Sequence, residues 1–182
     1  MSLKDFNIDQ NTCLFLDRDG VINVMRKNDY VKRVDEFVFI DGVLANFEFL
    51  SDVFKKIFVV TNQQGISKGL MTHRDLEAIH DYMATKIFEF GGRIDQIYYC
   101  PDLESSGSPN RKPEIGMALQ AKSDYPDIEL RNSIMVGDSE SDMIFAKKAG
   151  MLGVLIGDAE PEECLADLKF KNFKEFVQEI KE

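Results

Sequence analysis

Thr12-Cys-Leu-Phe-Leu-Asp17-Arg-Asp19-Gly20-Val-Ile-Asn23 is the stretch on which the reading of this chain turns. An apolar run, Cys13 to Leu16, ends in two carboxylates one residue apart, and Gly20 follows at once. A short apolar run closed by turn residues reads as a strand buried on both faces, as in a parallel sheet. Side chains alternate along a strand, so Asp17 and Asp19 would project to one side if the strand reached them. Two carboxylates held close repel each other unless a cation or a proton sits between them. Oxygen ligands of this kind suit Mg²⁺, which keeps waters and completes its shell with phosphate oxygens. Taken alone, D-x-D-G reads equally well as an ordinary strand end with solvated acids.

Outward from that stretch, short apolar runs alternate with longer amphipathic segments, which implies an α/β fold around a parallel sheet. Asp35 to Ile40 reads as a short strand or flap. Val43, Leu44, Phe47, Leu50 and Phe54 have helical spacing within 42–54. Ile57 to Val60 is a second buried strand, closed by Thr61-Asn62-Gln63-Gln64-Gly65. Thr72 and Asp75 make a variant capping box for a helix that runs to about Phe90 and stops at Gly91-Gly92. Ile94 to Cys100 is a third strand, followed by a polar loop to Lys112 and a helix with Pro113 in its first turn, to about Ser123. Ser133 to Val136 is a fourth strand, closed by Gly137-Asp138, with a helix to Ala149 stopped by Gly150. Leu152 to Ile156 is a fifth strand and Leu168 to Phe170 a sixth; Asn172 and Glu175 form a capping box for a C-terminal helix. Asp17, Asp19, Thr61 and Asp138 thus all fall at strand C-termini, the edge where open parallel sheets bind ligands.

The length of 182 residues fits one domain, 1–182. Hydrophobic residues at 44% supply a core, and 30% charged residues imply a soluble globular chain. A net charge of −10 opposes binding to nucleic acid or anionic membranes. The N-terminal Met-Ser-Leu-Lys-Asp-Phe lacks the apolar core of a secretory leader. No run approaches the roughly 18 apolar residues of a spanning helix. Cys13, Cys100 and Cys164 are odd in number and far apart, which points to a reducing cytoplasm rather than a disulfide framework. The chain is expected to act as a monomer.

The strand-end residues suit a phosphate monoester. Asp17 offers a carboxylate nucleophile that forms an aspartyl-phosphate. Asp19 offers an acid that protonates the leaving oxygen and later a base that deprotonates water. Asp138 adds a metal-binding oxygen to Asp17 and the Asp19 carbonyl, with Asp142 orienting that shell. Thr61 offers a hydroxyl to the phosphate. Lys112, placed before a helix expected at Pro113, would set its ammonium and the helix N-terminus against an anion. Arg111 supplies a fork for a phosphate or a sugar hydroxyl.

These motifs, Asp17-Arg-Asp19-Gly, Thr61 after an apolar strand, Lys112, and Gly137-Asp138-Ser-Glu-Ser-Asp142, resemble those of the haloacid dehalogenase superfamily of phosphatases. More narrowly, Phe15 to Asn23, Thr61 to Gly69, Ile97-Tyr-Tyr-Cys-Pro101 and Arg111 to Met117 are similar to the D-glycero-D-manno-heptose 1,7-bisphosphate phosphatases, with the histidinol-phosphate phosphatases as close relatives. The resemblance implies a three-layer, Rossmann-like parallel sheet with helices on both faces and no large cap domain. It also implies an Mg²⁺-dependent phosphatase that removes the C7 phosphate of a small phosphorylated sugar. The site residues it implies are Asp17, Asp19, Thr61 and Lys112 for catalysis, and Asp17, Asp19 and Asp138 for the metal. Asn23, Asn62, Gln63, Arg111 and Lys112 would contact substrate.

One departure stands out. The family usually holds a structural zinc beside the third strand through three cysteines and a histidine. Here Cys100-Pro-Asp102 has no histidine, and the loop has no further cysteine. Zinc is therefore expected to be absent, with Pro101, Pro109 and local hydrogen bonds ordering a shorter loop. His73 and His80 read as surface or helix-capping residues, Cys100 as a buried apolar residue, Asn23 and Tyr30 as substrate or packing residues, and Glu160-Pro-Glu-Glu163 as a solvated turn. A histidinol-phosphate or other small-metabolite phosphatase is the alternative. A receiver-like phosphoacceptor module would lack Asp19, and a polynucleotide 3′-phosphatase would want a basic groove.

Overall fold

The computed structural model describes residues 3–158 and 165–182, with residues 4 and 5 as backbone only. The expected turn at Glu160–Glu163, and Cys164, lie outside the described residues. A short N-terminal helix, α1 (Leu3–Phe6), leads into β1 (Cys13–Leu16), α2 (Val43–Val53), β2 (Lys56–Asn62) and α3 (His73–Glu89). Then follow β3 (Gln96–Cys100), α4 (Gly116–Asp124), β4 (Ser133–Gly137), α5 (Glu140–Ala149), β5 (Leu152–Ile156), β6 (Leu168–Phe170) and α6 (Phe173–Lys181).

The six strands form one sheet in the order β3-β2-β1-β4-β5-β6, and every pairing is parallel. Alternation along the strands divides the core in two. Leu14, Leu16, Ile57, Val59, Ile134 and Val136 pack with buried residues of α2, α3 and α6. Cys13, Phe15, Phe58, Val60 and Met135 pack on the other face with α4 and α5. This is the expected three-layer α/β architecture. The strand order reverses about β1, whose neighbours are β2 and β4. At such a switch point the loops leaving adjacent strands part and open a crevice at their C-terminal ends.

Local signals explain most boundaries. Thr72 and Asp75 bond reciprocally at the start of α3, and Gly150 ends α5 in the left-handed region at φ 75°. At α6, Asn172 accepts from the Glu175 N–H, but the Glu175 carboxylate turns to the Lys171 N–H, so the expected capping box is only half formed. Two expectations need larger correction. Residues 34–36 form a 3-10 turn, and only the bonds from Val24 N–H to the Val38 carbonyl and from Ile40 N–H to the Ile22 carbonyl make a small flap. The helix after Lys112 begins at Gly116, not Pro113. A residue before proline is pushed out of the α region, and the Lys112 backbone is held by the Asn62 side chain on both its N–H and its carbonyl.

Candidate active site

β1 ends at Leu16, and the Asp17 N–H reaches the Val136 carbonyl to extend the ladder by one rung. The chain then folds over, with the N–H groups of Val21, Ile22 and Asn23 all converging on the Arg18 carbonyl. Although the strand does not run on to Asp19, both aspartates line one cavity of about 230 Å³. Thr61 and Asn62 from the end of β2, Lys112, and Asp138 after β4 complete it. Gly20 closes this floor at φ +87°, and a Cβ there would sit 1.9 Å from Asp138 Oδ2. A larger hollow of about 440 Å³, lined by Leu3, Ile8, Phe49 and Ile180 among others, contains none of these groups.

Lys112 is the buried cation of the site, 3% exposed. Its ammonium donates to Asp17 Oδ1 at 2.9 Å and to Asp142 Oδ1 at 2.6 Å. Asp142 also accepts from the Ser139 N–H and hydroxyl, a capping box that fixes α5 and the Asp142 carboxylate together. Burial works against the Lys112 charge, but Asp142 and Asp17 outweigh it and hold its pKa above the usual lysine range. Burial pushes Asp17 up to about 8; Lys112 pulls it down, and Asp142, Asp138 and Asp19 push it up again. Burial and then the Asp142 charge push Asp138 up to about 7.

Burial, with the neighbouring carboxylates, makes a negative charge on either group costly without a further cation. Asp17, Asp138 and Asp142 each offer an oxygen, all within 4.8 Å of one another. Three carboxylates against one ammonium leave a formal deficit that a divalent cation matches, and hard oxygens are the ligands Mg²⁺ takes. The donor set therefore fits magnesium. It does not fit zinc at the third strand. Cys100 is buried, and its Sγ meets only Asp102 Oδ2 at 3.6 Å and Ser108 Oγ at 3.8 Å. Burial raises the thiol pKa, which keeps it protonated. The 101–112 loop is pinned instead by hydrogen bonds, among them Ser106 Oγ to the Leu103 carbonyl, Arg111 N–H to the Ser108 carbonyl and Gly116 N–H to the Pro109 carbonyl.

Asp19 sits in a different environment. One Arg18 nitrogen, Nη2, donates to both its oxygens at 3.0 and 2.8 Å; Asn23 and Gln63 amides add bonds of 2.9 and 2.8 Å. Burial pushes its pKa up, but the Arg18 charge and these bonds prevail and hold it below the usual carboxylate range. Arg18 is itself wholly buried, and its Nη1 donates to His80 Nε2 at 3.3 Å. Burial, and then the Arg18 charge, hold His80 down to about 3.

Several expected contacts move accordingly. Asn23 and Gln63 are fully buried and support Asp19 from behind, and neither lines the cavity. Gln63 also donates to Thr61 Oγ1 at 2.9 Å, which leaves the hydroxyl proton free for the cavity. Asn62 lines the cavity but spends its amide on the Lys112 backbone. Tyr30 stacks under Lys68 and accepts from it at 2.9 Å. Arg111 lines an adjoining hollow of about 370 Å³ that shares Asn62, Lys112 and Ser141 with the first. Since α4 starts at Gly116, its N-terminus does not begin beside Lys112 as expected.

Arg18 and His80 were missed as site residues, and His80 corrects a surface assignment. The signal was present: His80 falls on the buried stripe Leu76, Ile79, Met83, Ile87 of α3, where a histidine needs a polar partner.

Comparison with known proteins agrees with this geometry. A HAD-hydrolase-like family model matches residues 109–177. A D-glycero-alpha-D-manno-heptose-1,7-bisphosphate 7-phosphatase of Campylobacter jejuni is 38% identical over 93% of this chain and 95% of its own. The corresponding beta-anomer phosphatase of Helicobacter pylori is 34% identical over 94% of this chain and 98% of its own. A crystal structure of the D,D-heptose 1,7-bisphosphate phosphatase from B. bronchiseptica, complexed with magnesium and phosphate, superposes with a TM-score of 0.83 at 29% identity, covering 93% of this chain and 98% of that one.

Proposed function

The chain belongs to the heptose-1,7-bisphosphate 7-phosphatases of the haloacid dehalogenase superfamily, and from that premise we propose that it hydrolyses the C7 phosphate of a D-glycero-D-manno-heptose 1,7-bisphosphate. The observation that carries the reading is the Asp17–Lys112–Asp142 chain beside Asp138, at the switch point of the sheet. Such a site supplies a nucleophile, a buried cation and a place for Mg²⁺ within one small cavity.

Both hydrogen bonds that Asp17 accepts, from the Arg18 N–H at 2.7 Å and Lys112 at 2.9 Å, fall on Oδ1. Among the described residues no donor meets Oδ2, which is therefore the oxygen left to attack phosphorus. Attack forms a phosphorus–oxygen bond to Asp17 and breaks the one to the C7 oxygen; Asp19, whose surroundings favour its ionised form, takes up the proton of the incoming phosphate monoester and passes it to that oxygen as it leaves. In the second half Asp19 takes a proton from water as the water oxygen bonds to phosphorus and the bond to Asp17 breaks, which releases inorganic phosphate and frees the Asp17 carboxylate. Lys112 and the Thr61 hydroxyl bind phosphate oxygens. Asp17, Asp138 and the Asp19 carbonyl would hold Mg²⁺, which neutralises charge on the transferring phosphoryl group. The adjoining hollow at Arg111 gives the rest of the sugar somewhere to lie.

This reading takes 1–182 as a single uncapped domain that works as a monomer in the cytoplasm, without zinc. Among the described residues no helix is long and apolar enough to cross a membrane. The test is a kinetic comparison of both anomers of heptose 1,7-bisphosphate, histidinol phosphate and a 3′-phosphorylated oligonucleotide, with Mg²⁺ and after EDTA. The heptose esters should have the highest kcat/KM, and EDTA should stop turnover. A preference for histidinol phosphate or the oligonucleotide would overturn the substrate, and full activity after chelation would overturn the metal.

A further inference from the structure

Among the described residues, Arg18 is the largest side chain buried completely. A buried guanidinium is costly unless its donors are met. Here only its two terminal nitrogens are used. Nη2 makes both bonds to Asp19, Nη1 makes the one to His80, and Nε has no partner. The contact with Asp19 is thus end-on through a single nitrogen, not the two-nitrogen fork that fixes an Arg–carboxylate pair most firmly. A single-nitrogen contact leaves the guanidinium plane free to turn about it. The second anchor, His80 Nε2, stops that turn.

That bond also fixes the state of His80. The guanidinium only donates, so Nε2 must accept, and the imidazole is neutral with its proton on Nδ1. α3 holds the ring on its buried stripe, edge-on to Tyr99 at 5.9 Å. On the far side, Asn23 and Gln63 approach Asp19 from two other directions, and each leaves its own amide oxygen unpartnered. Their amide nitrogens are thus turned toward Asp19 while both amide oxygens remain unpaired in the core.

We propose that His80 is a positioning residue for the acid–base step: by accepting from Arg18 Nη1 it keeps the buried guanidinium from closing on Asp19 as a two-nitrogen fork, and so leaves the Asp19 carboxylate at the cavity. Without an acceptor at position 80, the buried guanidinium keeps Asp19 as its only partner. The pair then tightens, and the carboxylate is drawn away from the leaving oxygen. The inference rests on the acid–base role proposed for Asp19.

Leaving-group dependence separates this role from general damage. The C7 alkoxide needs a proton to leave, whereas p-nitrophenolate leaves without one. For either ester kcat/KM reports the half-reaction that forms the aspartyl-phosphate. His80→Leu should lower kcat/KM for heptose 1,7-bisphosphate by about tenfold or more, a fraction of what a misplaced general acid forfeits. For p-nitrophenyl phosphate it should change by less than about twofold. His80→Gln, whose amide oxygen restores an acceptor near the Nε2 position, should recover most of the loss. In an Asp19→Asn background His80→Leu should cost nothing further. If His80→Leu does not fold, His80→Met replaces the ring nitrogen with a thioether that accepts only weakly, at similar volume. Equal losses on both esters, or an undiminished loss in the Asp19→Asn background, would overturn the positioning role. Alkyl-ester turnover that survives Asp19→Asn would instead overturn the acid–base reading beneath it.

Discussion

Removing the metal should make this protein's stability depend on pH in a direction opposite to ordinary acid denaturation. Asp17 is pushed up to about 8 and Asp138 up to about 7, chiefly by burial, against 3.8 for a free aspartate. A carboxyl whose folded pKa is raised adds stability below its unfolded value and loses it as pH climbs through the folded one. Between about pH 6.5 and 8.5 the two groups give up their native-state protons while the unfolded chain has none left to lose. The loss is about 2 kcal/mol from Asp17 and about 1 kcal/mol from Asp138. His80 runs the other way, because its folded pKa of about 3 lies below the unfolded value of 6.5. That opposing contribution is under about half a kcal/mol at pH 6.5 and gone by pH 8.5. The exposed carboxylates held low, Asp9, Asp29, Asp75 and Asp127, are ionised throughout the window and contribute nothing to the slope.

The net loss of about 2–3 kcal/mol corresponds to a fall in Tm of roughly 5–10 °C for a chain of this size. Mg²⁺ competes with the protons that Asp17 and Asp138 would otherwise hold, so it should stabilise more at the higher pH. Calorimetric scans of EDTA-treated protein at the two pH values, each repeated with saturating MgCl₂, measure all four quantities. A metal-free Tm that is flat or rises toward pH 8.5 would refute the argument. So would an increment from Mg²⁺ that is the same at both.

Asp17→Asn should abolish turnover, by at least about 10³-fold, because the amide cannot form the acyl phosphate; circular dichroism should be unchanged, and near-wild-type kcat would exclude the covalent route. Lys112→Met should leave Asp17, Asp138 and Asp142 without a protein cation, costing about 3–5 kcal/mol in metal-free denaturant melts and about 10²–10³-fold in kcat; a stability loss under about 1 kcal/mol would show that Lys112 does not hold the carboxylates together. Gly20→Ala places a Cβ 1.9 Å from Asp138 Oδ2 at φ +87°, so the Mg²⁺ concentration for half-maximal activity should rise by about tenfold or more, and an unchanged Mg²⁺ requirement would mean that Asp138 is not a ligand. Elemental analysis of protein purified without chelator should find less than stoichiometric zinc; stoichiometric zinc lost with Cys100→Ser would overturn the zinc-free reading.

The fold was legible because its signals are local. β1 and β5 coincide with the apolar runs that announced them, and α3 starts at the Thr72 box. Composition and alternation specify a strand buried on both faces without reference to the rest of the chain. The strand-end aspartates were legible for the same reason: parallel topology alone puts residues that follow strands at one edge. The contacts that the sequence did not show share a different cause. Asn62, Asn23 and Gln63 are polar residues near an active site, and adjacency in sequence says nothing of which way an amide turns. Asn62 clamps a backbone 50 residues away, and Gln63 bonds a carboxylate 44 residues away. Only the packed fold brings those partners within reach.

Lys112 shows how such a hidden contact replaces a rule. Proline after it suggested a helix N-terminus behind the ammonium, a common way to bind anions. Instead the chain runs through Pro113 in a turn, with the Glu114 N–H on the Arg111 carbonyl, before α4 begins at Gly116. The Asn62 amide then does for Lys112 what a neighbouring strand would do, meeting its N–H at 3.0 Å and its carbonyl at 2.9 Å. A side chain acting as a strand fixes one residue without committing its neighbours to the sheet. That leaves Arg111 free to face the adjoining hollow while Lys112 points inward at Asp17 and Asp142. Lys112 thereby lines both cavities, while Arg111 lines only the adjoining one.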